Sequence, residues 1–304
     1  MPDSARTTTP FSLDAYFERI GWEGGRRPDA DTLRGVQLAH MRAIPFENLD
    51  ALGGRAPSLD LSDLMAKLVN GRRRGGYCYE HNTLFAAALE ALGVRVTRLT
   101  ARVVVGADRF EDRPRTHMAL LAELPGDPRP HLADVGFGAL GSLLEPVPLL
   151  ADTEFHDAGR RHRLVHAPRR GPLETWVLQA HGGGGWEAQY AFTPEPFEPS
   201  DYEVINWHVA TNPRSPFARR PYVQRLTPDA HLLLDGDPRH RHAHRRRHGH
   251  RTEAVRRGAG PPGAGRRVRH RRARGADAAA VRALRAARAS GCPAGPCPGA
   301  GCGP

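Results

Sequence analysis

Arg73-Arg74-Gly75-Gly76-Tyr77-Cys78-Tyr79-Glu80-His81-Asn82 is the stretch on which the reading of this chain turns. Two glycines precede a cysteine, and an apolar run at helical spacing (Leu84, Phe85, Ala88, Leu89, Leu92) follows it. That puts Cys78 in the first turn of a helix, where unpaired N–H groups and the helix dipole favour an anion and so a thiolate. Arg73 and Arg74 add positive charge nearby in sequence. Cys78 is also the only cysteine in the first 291 residues. On these residues alone a reactive nucleophile and a small buried apolar side chain are both open readings.

Upstream the chain reads as helices. Ser12 can cap a helix with Leu13, Tyr16, Phe17 and Ile20 on one face, and Asp31 a second with Leu33, Val36, Leu38 and Met41. Ile44-Pro45 ends the second, because the residue before proline is pushed out of the α region. Ser62 opens a third, and Asn70-Gly71 closes it. Downstream of Gly93 the period changes to strands: Val94 to Thr100, Arg102 to Val105, Thr116 to Leu124 and His131 to Val135. Pro125-Gly126-Asp127-Pro128-Arg129-Pro130 is the turn between the last two. His162 to His166, Glu174 to Ala180 and Trp186 to Phe192 are later strands. Thr193 to Ser200 reads as a linker, and Tyr202 to Val209 and Tyr222 to Leu226 begin a third section. Helices followed by short antiparallel strands indicate an α+β fold rather than alternating βαβ units.

The formal charge of +11 on 304 residues is an average over two unlike parts. Residues 1–235 hold 27 Lys and Arg against 30 Asp and Glu, a net of −3, whereas residues 236–304 hold 17 Arg against 3 acids, a net of +14. A basic balance therefore says nothing about partners of the body. One cysteine in the body argues against a disulfide framework and for a reducing compartment. No apolar run is long enough to span a bilayer, and the first residues lack the pattern of a signal peptide, so a cytoplasmic protein is expected. Lys67 stands alone against 43 arginines, a bias that fits a GC-rich gene.

A thiolate needs a cationic or basic partner, and that partner needs an orienting group. His117 and Asp134 are the candidates, on strands that flank one turn. Pairing centred on Pro125-Gly126 puts them directly opposite each other. Any register whose paired numbers sum to an odd total keeps them on one face. Gly136-Phe137-Gly138 follows and lets backbone approach a ligand closely.

Arg74-Gly75-Gly76-Tyr77-Cys78-Tyr79-Glu80-His81-Asn82 resembles the Arg-Gly-Gly-x-Cys-x-Glu-x-Asn signature of the arylamine N-acetyltransferases. Ile44-Pro45-Phe46-Glu47-Asn48-Leu49 resembles a second signature of that family. Thr116-His117 and Asp134-Val135-Gly136-Phe137-Gly138 resemble the segments that carry its histidine and aspartate. The resemblance covers roughly residues 11–235. It implies a cysteine-protease-like Cys-His-Asp core in an α+β fold. A helical domain (1–92) would carry the nucleophile and an antiparallel β-barrel domain (93–198) the His and Asp. A third α/β domain would begin at 199–235, and the composition of residues 236–304 would leave it truncated. It implies catalytic Cys78, His117 and Asp134, acetyl-CoA as acyl donor, an arylamine or hydrazine as acceptor, an acetyl-cysteine intermediate and no metal. Which residues bind CoA is left open, and neither Glu47 nor Asn48 has a chemical role on this reading. Glu80 and Asn82 read as capping or supporting residues. The alternatives are another Cys-His-Asp thiol enzyme, transglutaminase-like or amide-forming, or an inactive truncated family member.

Residues 236–304 contain no Phe, Tyr, Trp, Ile or Met and one leucine, Leu284, so they are expected to be a basic, disordered tail. Nonspecific binding of nucleic acid is the partner such a tail suggests. Cys292, Cys297 and Cys302, five apart among prolines and glycines, make a poor zinc pattern. An out-of-frame translation accounts for the composition. Arg (CGN) alternating with His (CAY), read one base later, becomes Val, Ala, Asp or Gly alternating with Thr or Ile.

Overall fold

Ser12 opens the first helix, α1 (Leu13–Ile20), by accepting the Ala15 amide at 3.3 Å. The computed structural model describes residues 11–71, 73–228, 230–236, 243–247 and 252–255, the last two segments by backbone alone. Helix α2 (Ala30–Ala43) is capped by Asp29 rather than Asp31: Asp29 has extended backbone and accepts the Thr32 amide at 2.9 Å. Asp31 lies inside the first turn and pairs with Arg34. Ile44 is extended and ends α2 before Pro45. After β1 (Phe46–Glu47) and α3 (Leu49–Leu52), helix α4 (Leu61–Leu64) starts one residue before Ser62, without a side-chain cap. It continues as a π-helical segment, Met65–Asn70, closed by the Gly71 amide on Ala66 O at 2.9 Å. Gly71 stays right-handed, so this end lacks the left-handed cap that Asn70-Gly71 suggests.

Helix α5 (Cys78–Ala91) is the centre of the helical part. Eleven of its 14 residues are buried, which marks a core helix rather than an amphipathic surface one. Its apolar side chains share one core with Tyr16, Leu33, Leu64, Leu68, Met118, Leu120 and Ala122.

Eight antiparallel strands follow: β2 (Arg95–Val103), β3 (Arg115–Glu123), β4 (His131–Ala133), β5 (Val147–Pro148), β6 (Glu154–Asp157), β7 (Arg160–His166), β8 (Trp176–Gly182) and β9 (Gly185–Phe192). Their order, β5-β4-β3-β2-β9-β8-β7-β6, curls into a nearly closed barrel. Strand β3 is buried on both faces, Met118, Leu120 and Ala122 toward α5 and Ala119 and Leu121 toward the barrel core of Leu99, Leu132, Leu164 and Leu178. That is why Thr116 to Leu124 reads as a nearly continuous apolar run.

The last part comprises α6 (Pro199–Thr211), α7 (Pro216–Arg219), β10 (Tyr222–Leu226), β11 (Ala230–Asp235), β12 (Ala243–Arg247) and β13 (Thr252–Val255). Its sheet runs β1-β10-β11-β12-β13, so a strand from the helical part forms one edge. Strands β12 and β13 carry the sheet to Val255. Residues 258–304, with Cys292, Cys297, Cys302 and most of the out-of-frame reading, lie outside the described residues. The fold is α+β. No helix among the described residues is long and apolar enough to cross a membrane.

Asn48 ties the last part to the first. Its Nδ2 donates to Phe217 O and Arg220 O, each at 2.8 Å, and its Oδ1 accepts the Tyr222 amide at 2.7 Å. Asn48→Ala would leave three backbone groups unpaired beside a 2 % exposed position. Thermal unfolding is expected to show a loss of roughly 2–3 kcal/mol. A variant melting with the wild type would remove Asn48 as that tie.

Candidate active site

The cysteine stretch folds back on its neighbours because its glycines allow it. A Cβ on Gly75 would lie 1.7 Å from Pro45 O, and one on Gly76 would lie 2.6 Å from the Glu80 carboxylate. The Gly76 carbonyl accepts the Glu47 amide at 2.7 Å, which joins this loop to β1. Cys78 is then the first residue of α5, 3 % exposed. Glu80, three residues past the N-cap Tyr77, reaches back to the Tyr77 amide at 3.1 Å, one half of a capping box. Arg74 turns to Glu47 (2.8 Å) and Asp50 (3.0 Å), so its charge is engaged by those carboxylates.

Strands β3 and β4 bring the other two candidates together. Leu120 pairs with Ala133 and Leu121 with Leu132, a register two residues away from the one centred on Pro125-Gly126. The paired numbers still sum to an odd total, so His117 and Asp134 share a face as diagonal neighbours rather than as an opposite pair. His117 Nε2 lies 2.7 Å from Asp134 Oδ2, with the two side chains 3 % and 1 % exposed. Cys78 Sγ lies 3.9 Å from the carbonyl oxygen of Thr116, the residue before His117 on β3, and Cys78 adds to the influences that favour a charge on the imidazole.

Asp134 is held from several sides. Its Oδ1 accepts Asn82 Nδ2 at 3.0 Å and the Gly136 amide at 2.8 Å, and its own amide donates to Gln37 Oε1 at 3.2 Å. Asn82 also donates to Met118 O at 2.6 Å and accepts the Val135 amide at 3.1 Å, so one side chain of α5 fastens both barrel strands. A Cβ on Gly136 would lie 2.7 Å from Cys78 Cα, and one on Gly138 would lie 2.6 Å from the Phe46 ring. The close approach expected of these glycines is thus to the protein's own backbone and ring. Phe137 and Tyr190 wall the imidazole, with ring centroids 5.2 and 5.0 Å from it.

The electrostatics follow from this packing. Burial opposes a charge on His117, but the Asp134 carboxylate beside it, helped by Cys78, pushes its pKa up to about 10. Burial likewise opposes the charge on Asp134, and His117 with the Asn82 and Gly136 donors holds its pKa below the ordinary carboxylate value. The pair is therefore an imidazolium and a carboxylate at neutral pH.

Behind α5 lies a second polar chain that sequence reasoning missed. Tyr16 Oη meets His40 Nδ1 at 2.7 Å, His40 Nε2 meets His81 Nδ1 at 2.8 Å, and His81 Nε2 faces Pro45 O at 3.2 Å. A carbonyl only accepts, so His81 Nε2 carries a proton and each earlier link follows with both rings neutral. Burial lowers the His81 pKa to about 4. Glu47, Asn48 and Gln37 were equally hidden, since their partners lie far along the chain.

A family model described as N-acetyltransferase matches residues 29–257. An arylamine N-acetyltransferase from Mycolicibacterium smegmatis is 43 % identical over 229 residues, which cover 74 % of this chain and 80 % of that one. The crystal structure of the Nocardia farcinica arylamine N-acetyltransferase superposes with a TM-score of 0.74 at 42 % identity, over 82 % of this chain and 85 % of that one. The Mycobacterium marinum arylamine N-acetyltransferase in complex with CoA superposes with a TM-score of 0.72 at 37 % identity, over 80 % and 86 %. Fold and matches together define an acyltransferase of the N-acetyltransferase class. Within that class the chain belongs to the arylamine N-acetyltransferase family.

Proposed function

We propose that this enzyme transfers the acetyl group of acetyl-CoA to an arylamine or hydrazine, with Cys78 as nucleophile, His117 as its proton partner and Asp134 as the group that orients and charges His117. The observation that carries the reading is the buried His117 imidazole 2.7 Å from the Asp134 carboxylate, with the influence of Cys78 among those that raise its pKa. A cation there favours a thiolate, and a thiolate suits a thioester donor because exchange between two thiols is nearly balanced. The CoA complex of the M. marinum relative supports the choice of donor.

The step is acyl exchange. Cys78 Sγ attacks the acetyl carbonyl carbon, amides at the start of α5 face the developing oxyanion, and the bond to the CoA sulfur breaks. The proton of His117 goes to that departing sulfur. In the second half the amine nitrogen attacks the acetyl-cysteine, the C–Sγ bond breaks, and the amine proton returns to His117. Thiolate and imidazolium are then restored. We read the helical, barrel and third domains as meeting near residues 92 and 198, so that the nucleophile and its partners come from the first two. A lone cysteine in the body suits a reducing compartment, and we place the enzyme in the cytoplasm.

Incubation with acetyl-CoA is expected to add one acetyl group to the Cys78 peptide, read by mass spectrometry. Adding aniline or a carboxylic hydrazide is expected to remove it and yield the amide. A Cys78 peptide that stays unmodified under these conditions overturns the reading.

A further inference from the structure

Lys67 is the one lysine in a chain with 43 arginines. A GC-rich gene explains the arginines, which makes the position where lysine survives informative. That position is the π-helical segment Met65–Asn70, an irregularity that recurs at functional sites. The ammonium bridges Asp50 Oδ2 and Glu80 Oε1 at 2.5 Å each, with the Lys67 side chain 18 % and that of Glu80 2 % exposed. The second oxygen of Glu80 accepts the Tyr77 amide at 3.1 Å. Tyr77 is the residue before Cys78. One series of polar contacts therefore runs from Lys67 through Glu80 to the helix start that presents the thiol.

The surrounding charges leave that task to Lys67. Glu47 and Asp50 engage Arg74, and Asp50 also meets Arg55 at 3.3 Å on its outer side. Among the described residues Lys67 is then the cation bonded to Glu80. A compact ammonium with three donors fits between carboxylates from two elements, whereas a guanidinium presents a wider planar fork. The carboxylate is close enough to the chain that Gly76 has no room for a Cβ, which would lie 2.6 Å from Glu80 Oε2.

We propose that Lys67 is a positioning residue for acyl transfer: it keeps Glu80 ionised, which holds the start of α5 closed and Cys78 aligned on His117. This rests on the proposed role of Cys78. Burial raises the Glu80 pKa to about 7 even with Lys67 in place, with Lys67 the largest opposing influence and Glu47 adding to the rise. Without the ammonium its pKa rises further, and a protonated carboxyl is a weaker acceptor for the Tyr77 amide.

The test uses the full chain with K67M, E80Q and the double variant. Acetylation of Cys78 by acetyl-CoA is followed from about pH 5.5 to about 9 at the Cys78 peptide, so that Cys292, Cys297 and Cys302 do not interfere. Iodoacetamide alkylation of the same peptide gives a reading that does not involve CoA. The wild type is expected to lose rate below about pH 7. K67M moves that limb upward, so its rate falls roughly tenfold at neutral pH and recovers in alkali. E80Q lowers the rate evenly and abolishes the limb, and K67M/E80Q falls no further than E80Q alone. Coincident limbs in K67M and wild type, a limb retained in E80Q, or additive losses in the double variant overturn the proposal. E80Q replaces a carboxylate by an amide of the same shape, so it carries the test alone where K67M does not fold. Wild-type protein that resists acetyl-CoA but shows the limb in alkylation overturns the proposed function and leaves this inference standing.

Discussion

Cys78→Ser is expected to lower acetyl transfer by ~10⁴-fold or more while the protein stays folded. The reason lies in His117. Held charged by Asp134 up to about pH 10, it has no lone pair at neutral pH with which to take a proton from a hydroxyl. A thiol gives up its proton readily enough to exist as the thiolate of an ion pair, and a serine hydroxyl does not. The residual activity of the serine variant should therefore rise with pH toward 10, as His117 becomes a base, where a nucleophile activated by a neutral histidine would show its gain near pH 7. Stability should change little, within ~1–2 kcal/mol, because the replacement is close in volume. Initial rates with acetyl-CoA and aniline across pH, with a melting curve beside them, check both halves. A serine variant that turns over near the wild-type rate would sink the assignment of the nucleophile.

Much of this arrangement was legible because it is local. The Ser12 cap, the stop at Ile44-Pro45 and the helix that begins at Cys78 each depend on neighbours a few residues away. What escaped depends on partners far along the chain or on backbone alone. Asp29 and Asp31 both look like caps, and only the extended conformation of Asp29 decides between them. Strands β5 and β6 span two and four residues, too short for alternation to register. The β3–β4 register slipped by two because Pro128 and Pro130 lengthen the turn, and its parity survived because both faces of β3 are buried and a shift by one would turn each side chain over. Glu47 and Asn48 stand in a motif, but their roles appear only when Arg74 and the carbonyls of Phe217 and Arg220 arrive beside them. The long-range hydrogen bonds thus explain why the motif extends beyond Cys78, His117 and Asp134.

Asp134→Asn is expected to cost a comparable amount, ~10⁴-fold, through the wrong protonation of a histidine that stays in place. The aspartate accepts on both oxygens: Asn82 Nδ2 and the Gly136 amide on Oδ1, and His117 Nε2 on Oδ2. An asparagine has one oxygen, and the two fixed donors claim it. Its NH₂ then faces His117 Nε2 and requires that nitrogen to accept. The imidazole becomes neutral, with its one proton on Nδ1, and the cation that stabilised the thiolate is gone. The stability profile should change with it. A histidine whose folded pKa is raised from 6.5 to about 10 contributes stability that is fully present below pH 6.5 and lost as pH rises through about 10. Wild-type melting temperatures should therefore decline across that alkaline window, and Asp134→Asn should flatten the decline while lowering stability at pH 6. Alkylation at Cys78 separates this from a collapsed site: at neutral pH the variant should react with iodoacetamide more slowly than the wild type, because the cation beside the sulfur is gone, and still react. A variant that keeps the wild-type alkylation profile would show that Asp134 does not set the charge on His117.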